Sequence, residues 1–155
     1  MTFLTDLTHN IIFMSAITGW FVAQVLKTII HIIVNKQFVA ERLVGGGGMP
    51  SSHSATVCAL ATATGIRYGG GSFEFALVAV FAIVVMYDAM GVRQETGKQG
   101  KVLNEMMEIF TQMGKNIDAE KALKELVGHT PLQVLMGAIL GIIIAIGMCN
   151  MQFFA

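Results

Sequence analysis

Four long apolar segments dominate this 155-residue chain, and they cover residues of about 11–34, 52–66, 73–90 and 131–154. A membrane-spanning helix needs about 20 mainly apolar residues, a length that the first, third and fourth segments reach. The second segment is rich in Ala and Thr and measures only about 22 Å as a helix. We therefore expect it to be buried among the others or to extend past Arg67. Charged residues make up only 13% of the chain, which is about half of their share in soluble domains.

These segments predict an all-α integral membrane bundle of about four transmembrane helices, formed by residues 1–155 as a single domain. A polar region, residues 93–128, separates the third segment from the fourth. It is expected to add one or two amphipathic helices at the cytoplasmic face or the lipid interface. The second of these begins near Asp118. The first has apolar residues at helical spacing, namely Val102, Leu103, Met106, Met107, Phe110 and Met113.

Four spans would place residues 35–51 and 91–129 on the same side of the membrane. That side carries eight of the Lys and Arg residues, whereas the opposite side carries only Arg67. The positive-inside rule therefore places this side in the cytoplasm and the protein in the cytoplasmic membrane. The net charge of zero gives no reason to expect a nucleic acid partner.

Two polar motifs stand directly before apolar segments on that side. Residues 45–55 read GGGGMPSSHSA, and residues 128–134 read GHTPLQV. The first combines four glycines with an unrestricted backbone conformation, serine hydroxyl groups and His53 at the positive end of a helix dipole. Such an arrangement is a favourable place for a phosphate. The second supplies His129 at a comparable position. Together they predict one active site, although each histidine also has a simpler interpretation as a residue at a helix start.

Cationic groups surround the two histidines in the predicted topology. Lys27 lies within the first segment, where a charge is costly and usually faces a polar cavity unless it snorkels to the interface. Arg42 and Arg93 flank the loops on the same side, and Asp88 is expected to pair with Arg93 or Lys27. Hydrolysis of a phosphate ester without a metal needs positive groups, a nucleophile and an acid, and this set offers all three. We expect no cofactor and no metal.

These motifs resemble those of the type 2 phosphatidic acid phosphatase and vanadium haloperoxidase superfamily. More closely, the chain is similar to small membrane proteins described as acid phosphatase/vanadium-dependent haloperoxidase-related. The segment MPSSHSA is similar to the Pro-Ser-Gly-His element of the superfamily, with Ser52 in place of the glycine. YDAMGVR, residues 87–93, looks like the small family's signature and would supply the arginine of the superfamily's third motif. Gly128-His129 followed by Gln133-Val134 resembles the second half of that motif, in which the histidine is followed four residues later by Asp-Val. Gln133 stands where the superfamily has an aspartate.

The resemblance implies a role for each residue. His129 would attack phosphorus and form a phosphohistidine, and His53 would protonate the leaving alcohol. The phosphate would be bound by Lys27, Arg42, Ser51, Ser52 and Arg93. Gln133 would accept the imidazole N–H of His129, although a neutral amide cannot stabilise an imidazolium as a carboxylate does.

The sequence leaves three functions open. The first is a membrane phosphatase for a lipid phosphate monoester, either phosphatidylglycerophosphate or phosphatidate, at the cytoplasmic face. The second is a binding or transport protein that retains the phosphate site without catalysis, an alternative motivated by Gln133. The third is a structural or regulatory subunit of a larger partner. Membrane lipids surround the chain in each case, and the sequence is compatible with a homodimer.

Overall fold

The computed structural model describes residues 2–36, 48–113 and 129–153, and all regular structure in these ranges is helical. The all-α prediction is thus confirmed for this part of the chain. The four predicted apolar segments correspond to α2, α3, α4 and α6, and each helix ends within two residues of the predicted limits. The six helices in chain order are α1 (Phe3–His9), α2 (Ile11–Asn35), α3 (Ser52–Tyr68), α4 (Phe73–Met90), α5 (Val92–Gln112) and α6 (Pro131–Phe153).

Polar side chains set the starting points of α2, α3 and α4. The Asn10 side chain accepts the N–H groups of Ile12 and Phe13 at the start of α2. Ser51 caps α3 and Ser72 caps α4 in the same way. Such caps satisfy backbone donors that have no partner within the helix. The helices therefore start where the sequence changes from Asn or Ser to apolar residues.

Three helical stretches are long and apolar enough to cross a membrane by length and composition: Ile11–Asn35, Phe73–Gln112 and Pro131–Met151. Their outward faces carry large exposed apolar side chains such as Phe21, Phe81 and Ile143. Helix α3 is shorter, with 17 residues that include several Ser and Thr. It extends to Tyr68 and packs against α2, α4 and α6, as expected of a helix buried among the others. A full fourth span stays a prediction.

Glycines bring α2 and α6 unusually close to α3. A Cβ atom at Gly141 would lie 2.3 Å from the Ala55 carbonyl oxygen, and one at Gly137 would lie 2.3 Å from that of Ser51. In α2, a Cβ atom at Gly19 would lie 3.0 Å from the same Ala55 oxygen. The small residues of the second and fourth segments therefore permit the close packing that the sequence predicts.

Helix α5 follows α4 directly, with only Gly91 between them. The stretch predicted to be amphipathic is helical, and its apolar side chains Val102, Leu103 and Met106 are exposed. Its place at the cytoplasmic face or the lipid interface stays a prediction. The second short helix, predicted from Asp118, lies outside the described residues. The short α1, which precedes α2, was not expected from the hydropathy because Asn10 separates it from the apolar segment.

Candidate functional site

The candidate site lies at the end of the bundle where α3 and α6 begin and α4 ends. Two backbone hydrogen bonds join these elements. The Ser51 N–H donates to the Gln133 carbonyl oxygen at 3.0 Å, and the His129 N–H donates to the Ala89 carbonyl oxygen at 3.1 Å. His53 and His129 are 76 residues apart in the sequence. Their two motifs therefore meet at one end of the bundle, as the predicted topology requires.

His129 is buried, with 1% of its surface exposed, and Gln133 fixes its orientation. The Oε1 atom of Gln133 lies 3.2 Å from Nδ1 of His129 and also accepts the Thr130 N–H at 3.1 Å. Because a backbone N–H can only donate, the amide oxygen of Gln133 must occupy this position. Nδ1 of His129 therefore carries the proton and donates it to this oxygen. The lone pair of the neutral imidazole is then on Nε2, the atom that a nucleophilic role requires.

The same contacts form the start of α6. Thr130 accepts the Gln133 N–H through Oγ1 at 3.4 Å, while its own N–H donates to the Gln133 side chain. This reciprocal arrangement is a capping box, with Pro131 at the first helical position. One glutamine thus stabilises the helix start and orients the buried imidazole.

His53 lies next to His129 in the first turn of α3. The two ring centroids are 5.8 Å apart with an angle of 64° between the ring planes. His53 is half-buried, so it lies nearer the surface than His129. The predicted pairing of the two histidines is therefore present in the geometry.

Lys27 approaches the same helix turn from α2. Only 2% of the residue is exposed, so it faces the interior and does not snorkel to the surface. Its ammonium donates to Oε1 of Gln24 at 2.7 Å and lies 3.5 Å from Oγ of Ser52. Its aliphatic part packs against Gly48, where a Cβ atom would lie 3.0 Å from Cγ of Lys27. Gly48 has a φ of +100°, which also favours glycine at the end of the four-glycine run.

Three serines line the start of α3. Ser51, Ser52 and Ser54 are all buried. The Ser51 side chain accepts the Ser54 N–H at 3.3 Å, which leaves its hydroxyl hydrogen available to another acceptor. Oγ of Ser54 has no hydrogen-bond partner among the described residues. The positive end of the α3 dipole thus coincides with the Lys27 ammonium and several hydroxyl groups, an environment suited to an anion.

Of the three remaining predicted site residues, the structure describes the side chain of only Asp88. Arg42 falls outside the described residues, and so does the side chain of Arg93, whose backbone opens α5. Asp88 is half-buried in the last turn of α4, one residue before the carbonyl that binds the His129 N–H. In the described part of the chain, no three His, Cys, Asp or Glu side chains lie together as metal ligands do. The metal-free site stays a prediction.

Two buried polar residues near the site were not predicted from the sequence. Gln24 and Thr28 are 5% and 7% exposed on the face of α2 that carries Lys27. The spacing of three residues between Gln24 and Lys27 puts both on one helix face, and this spacing is the signal that identifies Gln24.

Lys27 is also one of the residues that line an apolar cleft of about 150 Å³. The cleft lies along the last two turns of α2 and the residues just before Pro50. Its mainly aliphatic lining suits a hydrocarbon chain better than a free sugar or nucleotide. The lining residues are Lys27, Ile30, His31, Val34, Asn35, Gly48 and Met49.

Comparisons with known proteins show the family of the chain. The chain is 35% identical over 150 residues to the uncharacterised membrane protein YuiD of Bacillus subtilis (strain 168). The alignment covers 91% of this chain and 95% of YuiD. No solved structure is a significant match. The Divergent PAP2 family matches residues 8–144, which include every candidate site residue. The resemblance found in the motifs is therefore confirmed, and the chain belongs to the Divergent PAP2 family.

Proposed function

We propose that this membrane protein is a phosphatase that hydrolyses a lipid phosphate monoester through a phosphohistidine on His129. The observation that carries the proposal is the orientation of His129. Its Nδ1 proton is bound to Gln133, which leaves Nε2 as the nucleophile beside His53. A buried imidazole held in one tautomer next to a second imidazole is the arrangement that nucleophilic catalysis with acid assistance needs.

The first half-reaction forms the phosphohistidine. The Lys27 ammonium, the Ser51 and Ser52 hydroxyls and the N–H groups at the start of α3 bind the non-bridging phosphate oxygens. Nε2 of His129 attacks phosphorus, and the bond from phosphorus to the alcohol oxygen breaks as the P–N bond forms. Protonated His53 gives its proton to that oxygen, so the alcohol leaves as a neutral molecule. By the family resemblance, Arg93 and Arg42 add positive charge at the phosphate.

The second half-reaction restores the enzyme. Neutral His53 takes a proton from a water molecule, whose oxygen attacks phosphorus. The P–N bond breaks, inorganic phosphate leaves, and His129 recovers its lone pair. No step requires a metal, because the charge is stabilised by cationic side chains and helix N–H groups.

The apolar cleft supports a lipid as the phosphate donor. Lys27 is one of its lining residues, so an acyl or similar chain bound in the cleft would hold its phosphate group near this residue. Phosphatidylglycerophosphate and phosphatidate are substrates of this kind, and the bias of Lys and Arg supports a site at the cytoplasmic leaflet. The site is then within reach of headgroups that are made on that side.

A second function is favoured by Gln133. A neutral amide in this position orients His129 but does not stabilise the imidazolium charge that develops when phosphorus is attacked. A protein that binds or transports a phosphate ligand would need the site without the turnover. Such a protein would bind orthovanadate, a phosphate analogue, and release no phosphate.

The experiment that tests these functions measures phosphate release by the detergent-purified full chain. The substrates are phosphatidylglycerophosphate, phosphatidate and a polyprenyl pyrophosphate, each with and without a metal chelator. We expect sustained release from one of the two lipid monoesters, unchanged by the chelator. Vanadate binding without release from any substrate would instead establish the binding function and overturn the phosphatase.

Replacing Gln133 with glutamate is expected to raise kcat by about tenfold at neutral pH. The substitution keeps the side-chain length and the capping contacts to Thr130, and it adds a negative charge next to Nδ1 of His129. That charge stabilises the imidazolium in the transition state. The gain should be present while the glutamate is ionised and should disappear as the pH falls through its pKa.

The control for this prediction is Gln133→Leu, which removes the acceptor and should lower kcat. Equal kcat values for wild type and Gln133→Glu across the pH range would show that the charge at this position does not limit the chemistry.

A further inference from the structure

Gln24 is a buried amide in a helix that is apolar enough to cross a membrane. It is 5% exposed, and it lies one turn before Lys27 on the same face of α2. Burying an amide is costly unless it makes a good hydrogen bond. Its Oε1 accepts a charge-assisted bond of 2.7 Å from the Lys27 ammonium, a bond type that is stronger than a neutral one.

The hydrogen bond to Gln24 helps to fix the position of the Lys27 ammonium. The aliphatic part of Lys27 packs against Gly48, and Nζ lies 3.5 Å from Oγ of Ser52. Gln24 approaches Nζ from α2, whereas Ser52 approaches it from α3. The positive charge is thereby held at the first turn of α3, the turn that also carries His53.

Resting on the proposed function, we infer that Gln24 is a positioning residue that directs the Lys27 ammonium toward the phosphate and, as a neutral amide, adds no negative charge beside it. A glutamate at this position would have nearly the same shape. Its carboxylate would pair with Lys27, and in a site of low dielectric constant that attraction would compete strongly with a bound phosphate. The amide provides the same hydrogen bond without this competition.

Gln133 plays a parallel part at the other side of the site. It too is a glutamine whose Oε1 orients a functional nitrogen, here Nδ1 of His129. Both contacts use an uncharged acceptor, so neither subtracts from the positive charge around the ligand.

The test compares wild type with Gln24→Glu and Gln24→Leu, using the full chain in detergent. Orthovanadate binding is measured by calorimetry, and kcat and KM are measured with the best lipid monoester. We expect Gln24→Glu to raise the Kd for vanadate and the KM by about tenfold or more, with a much smaller change in kcat. Gln24→Leu, which removes the acceptor without adding a charge and suits a membrane helix, should weaken binding to a lesser degree.

The matched control is Thr28→Val in the same part of α2. Thr28 is also buried, and its hydroxyl donates to the backbone oxygen of Gln24, not to the ammonium. This variant removes a buried hydrogen bond nearby and is expected to keep the wild-type Kd and KM.

A pH series separates the charge effect from a packing defect. Protonated glutamate is neutral and similar in shape to glutamine, so the ratio of the Kd of Gln24→Glu to that of wild type should fall toward one as the pH decreases through the pKa of the glutamate. A packing defect would leave this ratio constant.

Two negative results are distinguishable. If wild type binds vanadate and releases phosphate while Gln24→Glu matches it in Kd and KM, the inference about Gln24 is overturned and the phosphatase stands. If wild type neither binds vanadate nor releases phosphate, the proposed function fails and the inference fails with it.

Discussion

Replacing His129 with alanine is expected to reduce phosphate release by more than about a thousandfold. The substitution removes Nε2, the atom that forms the P–N bond, and no other described side chain presents a nucleophile held in this way by Gln133. The residual rate should reflect binding by Lys27 and the start of α3, and the measurement is kcat with the best lipid monoester. Vanadate binding should persist in the variant, because these phosphate-binding groups are unchanged.

The matched control is His9→Ala. His9 is exposed at the opposite end of the bundle, where Nδ1 lies 2.7 Å from the Thr5 carbonyl oxygen. This variant should keep the wild-type rate. Full phosphate release by His129→Ala would show that the nucleophile is a different group.

The phosphohistidine itself can be observed in a related variant. His53→Ala lacks the group that protonates the leaving alcohol, so it should fail with a lipid monoester. It should still react with p-nitrophenyl phosphate, whose leaving group is stable as an anion and needs no proton. With that substrate, the loss of His53 as the base for water should let an acid-labile phosphohistidine accumulate on His129.

The helix positions could be predicted from the sequence because local chemistry determines them. Apolar segments of sufficient length follow directly after Asn10, Ser51, Ser72 and Thr130, and each of these residues supplies a cap. The meeting of His53 and His129 could also be predicted, because a chain that crosses back and forth brings alternate helix ends together. Both inferences need only hydropathy and connectivity.

The rotation of each helix about its axis could not be predicted. Helices with apolar residues on every face give little indication of which face contacts a neighbour. The role of Gln24 depends on this rotation, because the same amide pointing toward lipid would not reach Lys27. The orientation of the Gln133 amide follows from the capping box, in which its oxygen accepts the Thr130 N–H. The pattern Thr130-Pro-Leu-Gln133 is the sequence signature of such a box, but the contact of the same oxygen with His129 depends on where the imidazole lies.

Stability of the bundle should depend on the close packing of α6 against α3 at Gly141. A methyl group at this position would lie 2.3 Å from the Ala55 carbonyl oxygen and 2.9 Å from the Ala59 backbone nitrogen. Both are backbone atoms of a helix, so no side-chain rotation can relieve the overlap, and α6 must move away from α3. We expect Gly141→Ala to lower the free energy of unfolding by about 3 kcal/mol and to lower the thermal midpoint in detergent.

Gly147→Ala in the same helix is the matched control. A methyl group there meets nothing within 4 Å. Because alanine is favoured over glycine within a helix by about 1 kcal/mol, this variant should be as stable as wild type or slightly more stable. Equal thermal midpoints for the two variants would mean that α6 does not contact α3 through Gly141. The Ser51 N–H donates to the Gln133 carbonyl oxygen, so the start of α3 is joined to the start of α6. Displacement of α6 should therefore also separate His129 from His53. Phosphate release should fall together with stability in Gly141→Ala and not in Gly147→Ala.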